Sequence, residues 1–86
     1  MKKGRSTAAS AEEFIALVAE TIRRIRIEKG KSQEEVAGLA MSVRTYVRIE
    51  KGEVAPTLRS IYHIAAGLGV EPSHLFNGIH LATQED

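Results

Sequence analysis

The stretch that decides the fold is Ser32-Gln-Glu-Glu-Val-Ala-Gly-Leu-Ala-Met-Ser42-Val-Arg-Thr-Tyr-Val-Arg-Ile-Glu-Lys-Gly52. It opens on Ser32 with Glu35 three residues later, a capping box in which hydroxyl and carboxylate satisfy each other's backbone donors. Val36, Ala37, Leu39 and Ala40 then give a short helix its apolar side. Ser42 supplies a second cap, and the next helix runs from Val43 to Lys51, where Gly52 stops it. Two short helices are therefore separated by a few residues around Gly38–Met41. Small Ala37 allows them to approach closely, and Val36 and Ile49 point inward. Arg44 and Arg48 lie four apart, so both emerge on one side of the second helix of this pair.

Working outward, the preceding segment predicts a long first helix. Ser10 or its successor starts it, Glu12 and Glu13 suit its positive end, and Lys29-Gly30 closes it. Phe14, Leu17, Val18, Thr21, Ile22 and Ile25 recur at helical spacing on one face. Downstream, Val54-Ala55-Pro56 reads as an extended link, because proline biases its predecessor away from helix. Thr57 caps a fourth helix with Leu58, Ile61, Ile64, Ala65 and Leu68 as its apolar set, stopped by Gly69. Pro72 fits the first turn of a short fifth helix holding Leu75 and Phe76. The expected fold is thus all-α, five helices with short connections, with no strand and no internal repeat. Residues 1–10 read as a flexible basic arm, 11–76 as the domain, and 77–86 as a tail able to join a dimer interface.

Composition bounds the function. The 86 residues carry 43% hydrophobic and 27% charged side chains with a net charge of +1, ordinary values for one globular domain. Few aromatics leave the core to Ile, Leu, Val and Ala, a small core that favours a dimer. The sequence has no cysteine, which excludes disulfides, thiolate zinc sites and a cysteine nucleophile, and fits a cytoplasmic location. No apolar run reaches the length of a membrane span or a signal peptide. Of the twelve basic residues, eight lie in the first 31 positions: Lys2, Lys3, Arg5, Arg23, Arg24, Arg26, Lys29 and Lys31. A basic face can therefore coexist with a nearly neutral total. His63, His74 and His80 form no helical i, i+4 pair, so no metal or other cofactor is expected. Capping explains Glu12-Glu13 and Glu34-Glu35 better than acid/base chemistry, and with no nucleophile or phosphate loop an enzyme is not expected.

Five pieces in order carry a resemblance: Ile22–Gly30, Ser32–Ala37, Met41–Gly52, Pro56–Leu58 and Leu68–Phe76. Together they resemble the phage-repressor and Cro type of helix-turn-helix, the xenobiotic-response-element family of bacterial and phage regulators, over about residues 12–76. Between Gln33 and Ile49 the chain has one residue fewer than the family pattern, and the shortening is expected near Gly38–Met41. The resemblance implies a sequence-specific DNA-binding transcriptional regulator, a homodimer whose third helix enters the major groove of a near-palindromic operator. It implies that Gln33 meets phosphate or an outer base, that Ser42, Val43 and Arg44 meet base edges, and that Arg48 follows one turn on. Thr45, Tyr46 and Lys51 complete the expected DNA contacts, with Tyr46 able to pack inward instead. Arg26 and Glu50 match a pair that forms a buried ion pair in some members.

Plainer readings stand beside these. Arg44 and Arg48 also fit a solvated helix face, Gln33 a simple helix N-terminus, and Lys2-Lys3-Arg5 either a solubilising tail or a DNA-tracking arm. Leu75, Phe76, Ile79 and Leu81 fit either a dimer interface or closure of the monomer core. The competing function is a protein-interaction module, an antitoxin or adaptor with a partner such as a toxin or RNA polymerase.

Overall fold

A computed structural model describes residues 6–82. Four α-helices follow one another: α1 (Ala11–Glu28), α2 (Gln33–Ala37), α3 (Val43–Glu50) and α4 (Leu58–Leu68). Each begins where a hydroxyl is available. Ser10, Ser32, Ser42 and Thr57 are the N-caps, each accepting from the backbone N–H three residues on. Such caps satisfy one of the orphan donors of a helix start and contribute about 1 kcal/mol each. At α2 the box is complete, with the Ser32 N–H donating to Glu35 at 2.7 Å and the Glu35 N–H to Ser32 at 3.0 Å. That first bond holds the Glu35 carboxyl below its usual range.

The core lies between α1, α2, α3 and α4. Ile22, Tyr46, Ile64, Leu68 and Leu75 are its largest fully buried side chains, with Val18, Val36, Ile49 and Ile61 around them. Close approach of α2 and α4 depends on Gly67. A Cβ there would stand 2.5 Å from the Val36 carbonyl oxygen, so any larger residue forces the two backbones apart. Leu58 does not join the apolar set of α4 in the core. As the first residue of α4 it is 85% exposed, because one turn of helix is needed before the chain meets the layer beneath.

Three expectations are corrected here. The fifth helix is a 3-10 turn, Pro72–Phe76, whose His74 N–H bonds three residues back to the Glu71 carbonyl at 2.9 Å. The chain also contains strands. Ser6–Ala8 (β1) and Ile79–Leu81 (β2) pair in parallel, Ser6 opposite Ile79 and Ala8 opposite Leu81. The ribbon is fastened by Ser6 N–H to Gly78 O and Ala82 N–H to Ala8 O, both at 2.8 Å. Residues 6–8 of the expected flexible arm and 79–81 of the expected tail are therefore ordered against each other, and Ala8 is buried. The basic residues Lys2, Lys3 and Arg5, read as an arm, lie outside the described residues.

Candidate nucleic-acid interface

The connection between α2 and α3 runs over residues 38–42. α2 ends at Ala37, and Gly38 turns the chain with φ +55° and ψ −142°, a conformation closed to side chains with a Cβ. Met41 tucks its side chain against the core, and Ser42 restarts the helix. The Ser42 hydroxyl accepts from the Thr45 N–H at 3.1 Å and donates to the Thr45 hydroxyl at 2.9 Å. In the segment of the expected shortening, Gly38–Met41, α2 has already ended at Ala37.

α3 is divided lengthwise. Tyr46, Ile49 and Glu50 face the interior, while Val43, Arg44, Thr45, Arg48 and Lys51 are exposed. The inner side is tied down by one carboxylate. Glu50 accepts from Arg26 Nε at 2.7 Å and Nη2 at 3.0 Å, from Gln33 Nε2 at 3.0 Å and from the Tyr46 hydroxyl. Arg26 also donates to the Lys31 carbonyl at 3.0 Å. α1, the α1–α2 loop, α2 and α3 therefore converge on a single charge. Burial works against the charged form of Glu50. The hydrogen bonds from Arg26, Tyr46 and Gln33 outweigh it and hold the carboxyl below its ordinary range. Burial, then the bond to Glu50, pushes the Tyr46 phenol up. The Glu50 bond likewise raises Arg26.

Against the expected sites, the structure separates two groups. Ser42, Val43, Arg44, Thr45, Arg48 and Lys51 share the open side or the ends of α3. The Arg44 side chain has no hydrogen-bond or ion-pair partner among the described residues. Arg48 Nε lies 3.6 Å from Glu53, with both side chains about half exposed. Such a pair is worth little in water and yields readily to a stronger anion. Tyr46 is withdrawn from the contact set. It is 0% exposed, and its hydroxyl serves Glu50 rather than a phosphate. Gln33 is half-buried with its amide engaged by Glu50, so its side chain orients α2 against α3.

The expected interface residues also divide. Leu75 has no exposed surface and closes the monomer core, so it is withdrawn from any interface. Phe76 stacks on Phe14 with centroids 6.1 Å apart and planes 8° from parallel. Ile79 packs against the core from β2, and Leu81 alone of the four is largely exposed, at 73%. Sequence reasoning missed Glu53, for which nothing in the spacing gives a role, and the engagement of Gln33 and Tyr46 by Glu50. The i, i+4 spacing of Tyr46 and Glu50 was a usable signal for the latter.

The layout of α2, a tight turn and a half-exposed α3 matches a known family. Residues 22–75 fit the helix-turn-helix model HTH_3. The chain belongs to this helix-turn-helix family. It is 38% identical over 55 residues to the cryptic phage CTXphi transcriptional repressor RstR of Vibrio cholerae, an overlap of 63% of this chain and 50% of that protein. The chain thus spans about half the length of that curated relative. Among solved structures it resembles the restriction-modification controller protein C.AhdI from Aeromonas hydrophila. That likeness has a TM-score of 0.68 and 30% identity, covering 72% of this chain and 96% of C.AhdI. An HTH_3 family transcriptional regulator from Vibrio cholerae superposes with a TM-score of 0.72 and 29% identity, over 78% of this chain and 38% of that one. No helix among the described residues is long and apolar enough to cross a membrane.

Proposed function

We propose that this protein is a sequence-specific DNA-binding transcriptional regulator, non-enzymatic and cytoplasmic, that docks α3 in the major groove of a near-palindromic operator as a homodimer. One observation carries the reading. The inner side of α3 is anchored by Tyr46, Ile49 and Glu50, which leaves Val43, Arg44, Thr45 and Arg48 on a rigid open face. A helix about 10–12 Å across fits a major groove about 12 Å wide. On that face Arg44 and Arg48 can each bond guanine O6 and N7 together, worth about 1–3 kcal/mol of discrimination per good pair. Val43 suits a thymine methyl, and Ser42, Thr45 and Lys51 suit the backbone. The relatives support this class, since one is a transcriptional repressor and another a controller protein.

The roles differ in what they do to binding. Arg44 and Arg48 read sequence, whereas Lys51 contributes mainly charge. Gln33 acts by holding α2 at a fixed angle to α3, with its outer edge available to a phosphate. Binding of labelled duplexes followed by fluorescence anisotropy at several salt concentrations tests the proposal. Affinity should fall steeply with salt for any duplex, and a specific site should retain a large advantage over random DNA. Equal affinity for all duplexes at every salt concentration would refute sequence-specific regulation.

A further inference from the structure

The turn that ends α3 brings a negative charge onto the side that the reading proposal needs. Gly52 has φ +77°, a left-handed conformation that favours glycine. The Gly52 N–H bonds the Ile49 carbonyl at 3.0 Å, and the Glu53 N–H bonds the Arg48 carbonyl at 2.9 Å. Together these are the two bonds of a Schellman turn. They bring Glu53 back against Arg48, and its carboxylate lies 3.6 Å from Arg48 Nε. Backbone geometry therefore sets the pair, where two long side chains in solvent would otherwise meet by chance. The sign of the charge is unexpected. Arg44, Arg48 and Lys51 are exposed on this side or at the end of α3, and a carboxylate beside them weakens attraction to any polyanion.

Its effect depends on which acceptor Arg48 meets. A backbone phosphate is an anion, so it competes with Glu53 for the guanidinium and repels the carboxylate. A guanine edge is neutral. Its N7 and O6 can accept from Nη1 and Nη2 end-on, and Nε can then stay with Glu53. The pair is thus broken in a phosphate contact and kept in a base contact. Keeping it also steadies a long side chain whose ordering would otherwise oppose binding. We infer that Glu53 is a positioning residue for base reading, acting through Arg48 to favour guanine over phosphate. The inference rests on the proposal that α3 reads DNA. It assigns to the start of the α3–α4 link a part in specificity that involves no contact of Glu53 with a base.

The test measures dissociation constants by fluorescence anisotropy for two duplexes, the one that the wild type enriches from random DNA and a random duplex of equal length. Their ratio is compared in the wild type, in Glu53→Gln and Glu53→Asp, and in Arg48→Ala with and without Glu53→Gln. Glu53 is exposed, and unchanged circular dichroism and melting show that each fold is kept. In Glu53→Gln the random duplex should bind several-fold more tightly at low salt, and the enriched duplex should gain less. The ratio should fall about three- to fivefold, the upper range of coupling in a half-exposed ion pair. Glu53→Asp, which retains the charge, should keep most of the ratio. Loss of charge alone acts on both duplexes alike, so in the Arg48→Ala background Glu53→Gln should tighten both and leave the ratio unchanged. A ratio unchanged by Glu53→Gln in the otherwise native chain, or one that falls equally without Arg48, overturns the inference while the reading of α3 stands. A wild type with no preferred duplex at any salt concentration overturns both.

Discussion

Replacing Glu50 by Gln should remove one charge from a buried cluster while leaving its shape almost unchanged. In the wild type one oxygen takes Arg26 Nε and the Tyr46 hydroxyl, and the other takes Arg26 Nη2 and Gln33 Nε2. Whichever oxygen becomes an amide nitrogen, one Arg26 N–H loses its acceptor and faces another donor, while the Tyr46 hydroxyl or the Gln33 amide must turn to accept instead. Breaking a buried pair by removing one partner costs about 3–5 kcal/mol. The Arg26 side chain is 15% exposed and the Glu50 side chain 3% exposed, and Arg26 keeps its bond to Lys31. The lower end, about 3 kcal/mol, is therefore expected. At about 0.05–0.15 kcal/mol per residue the whole domain is worth about 4–13 kcal/mol. The loss should thus lower Tm by about 12–24 °C. Urea denaturation monitored by circular dichroism measures it directly. The pH dependence has a defined sign. The folded carboxyl lies below its unfolded value, so the pair contributes fully above the ordinary carboxylate range. That contribution disappears as pH falls through the depressed value, and the gap between wild type and variant should close in acid. An apolar replacement of the cluster, Arg26→Met, Tyr46→Phe, Glu50→Leu, should recover most of the stability, because no charge or hydroxyl is left unpaired. A loss under 1 kcal/mol in the single variant, or no recovery in the triple one, would refute the view that Glu50 is the common anchor of these elements.

Further outcomes follow from single contacts. Gly67→Ala places a methyl against the Val36 carbonyl and should cost about 1–3 kcal/mol by overpacking, visible as a lower urea midpoint. Leu75→Ala should cost about 2–5 kcal/mol as a core truncation, while sedimentation of the folded fraction stays that of the wild type. Glu53→Gln releases Arg48 from its exposed ion pair and removes a negative charge beside the reading face. It should leave Tm nearly unchanged and tighten binding to duplex DNA at low salt by several-fold, an effect that fades as salt screens the charge.

Local chemistry made the helix starts legible. Ser10, Ser32, Ser42 and Thr57 each act through the backbone three residues away, so the signal and its partner sit in the same short window. The divided character of α3 was readable in part, because Arg44 and Arg48 fall on one side and Ile49 points inward, whereas Tyr46 stood among the expected DNA contacts. What escaped depends on distant partners. β1 and β2 are three residues each, too short for a period-2 pattern, and they meet only because the folded helices bring residues 6–8 beside 79–81. Ser6-Thr7-Ala8 taken alone is indistinguishable from a polar arm.

The site shows the same division. The pairing of Arg26 with Glu50 entered through resemblance, whereas the engagement of Gln33 and Tyr46 by the same carboxylate needs the packed geometry. Leu58 sits in register with the core residues of α4, yet its place at the helix start leaves it in solvent. Periodicity identifies a face but does not say how far along the helix that face is covered. Leu75 is the opposite case, an apolar residue in a short turn that is wholly enclosed.

Base reading by the open face of α3 is tested most directly by selection of bound sites from random duplex DNA. The wild-type chain and an Arg44→Ala, Arg48→Ala variant are carried through the same rounds after both are shown to be folded. A near-palindrome with guanines in each half-site is expected for the wild type, and relaxed preference at those guanines for the variant. A wild type that enriches no motif, or a variant that enriches the same motif with the same preference, would contradict it.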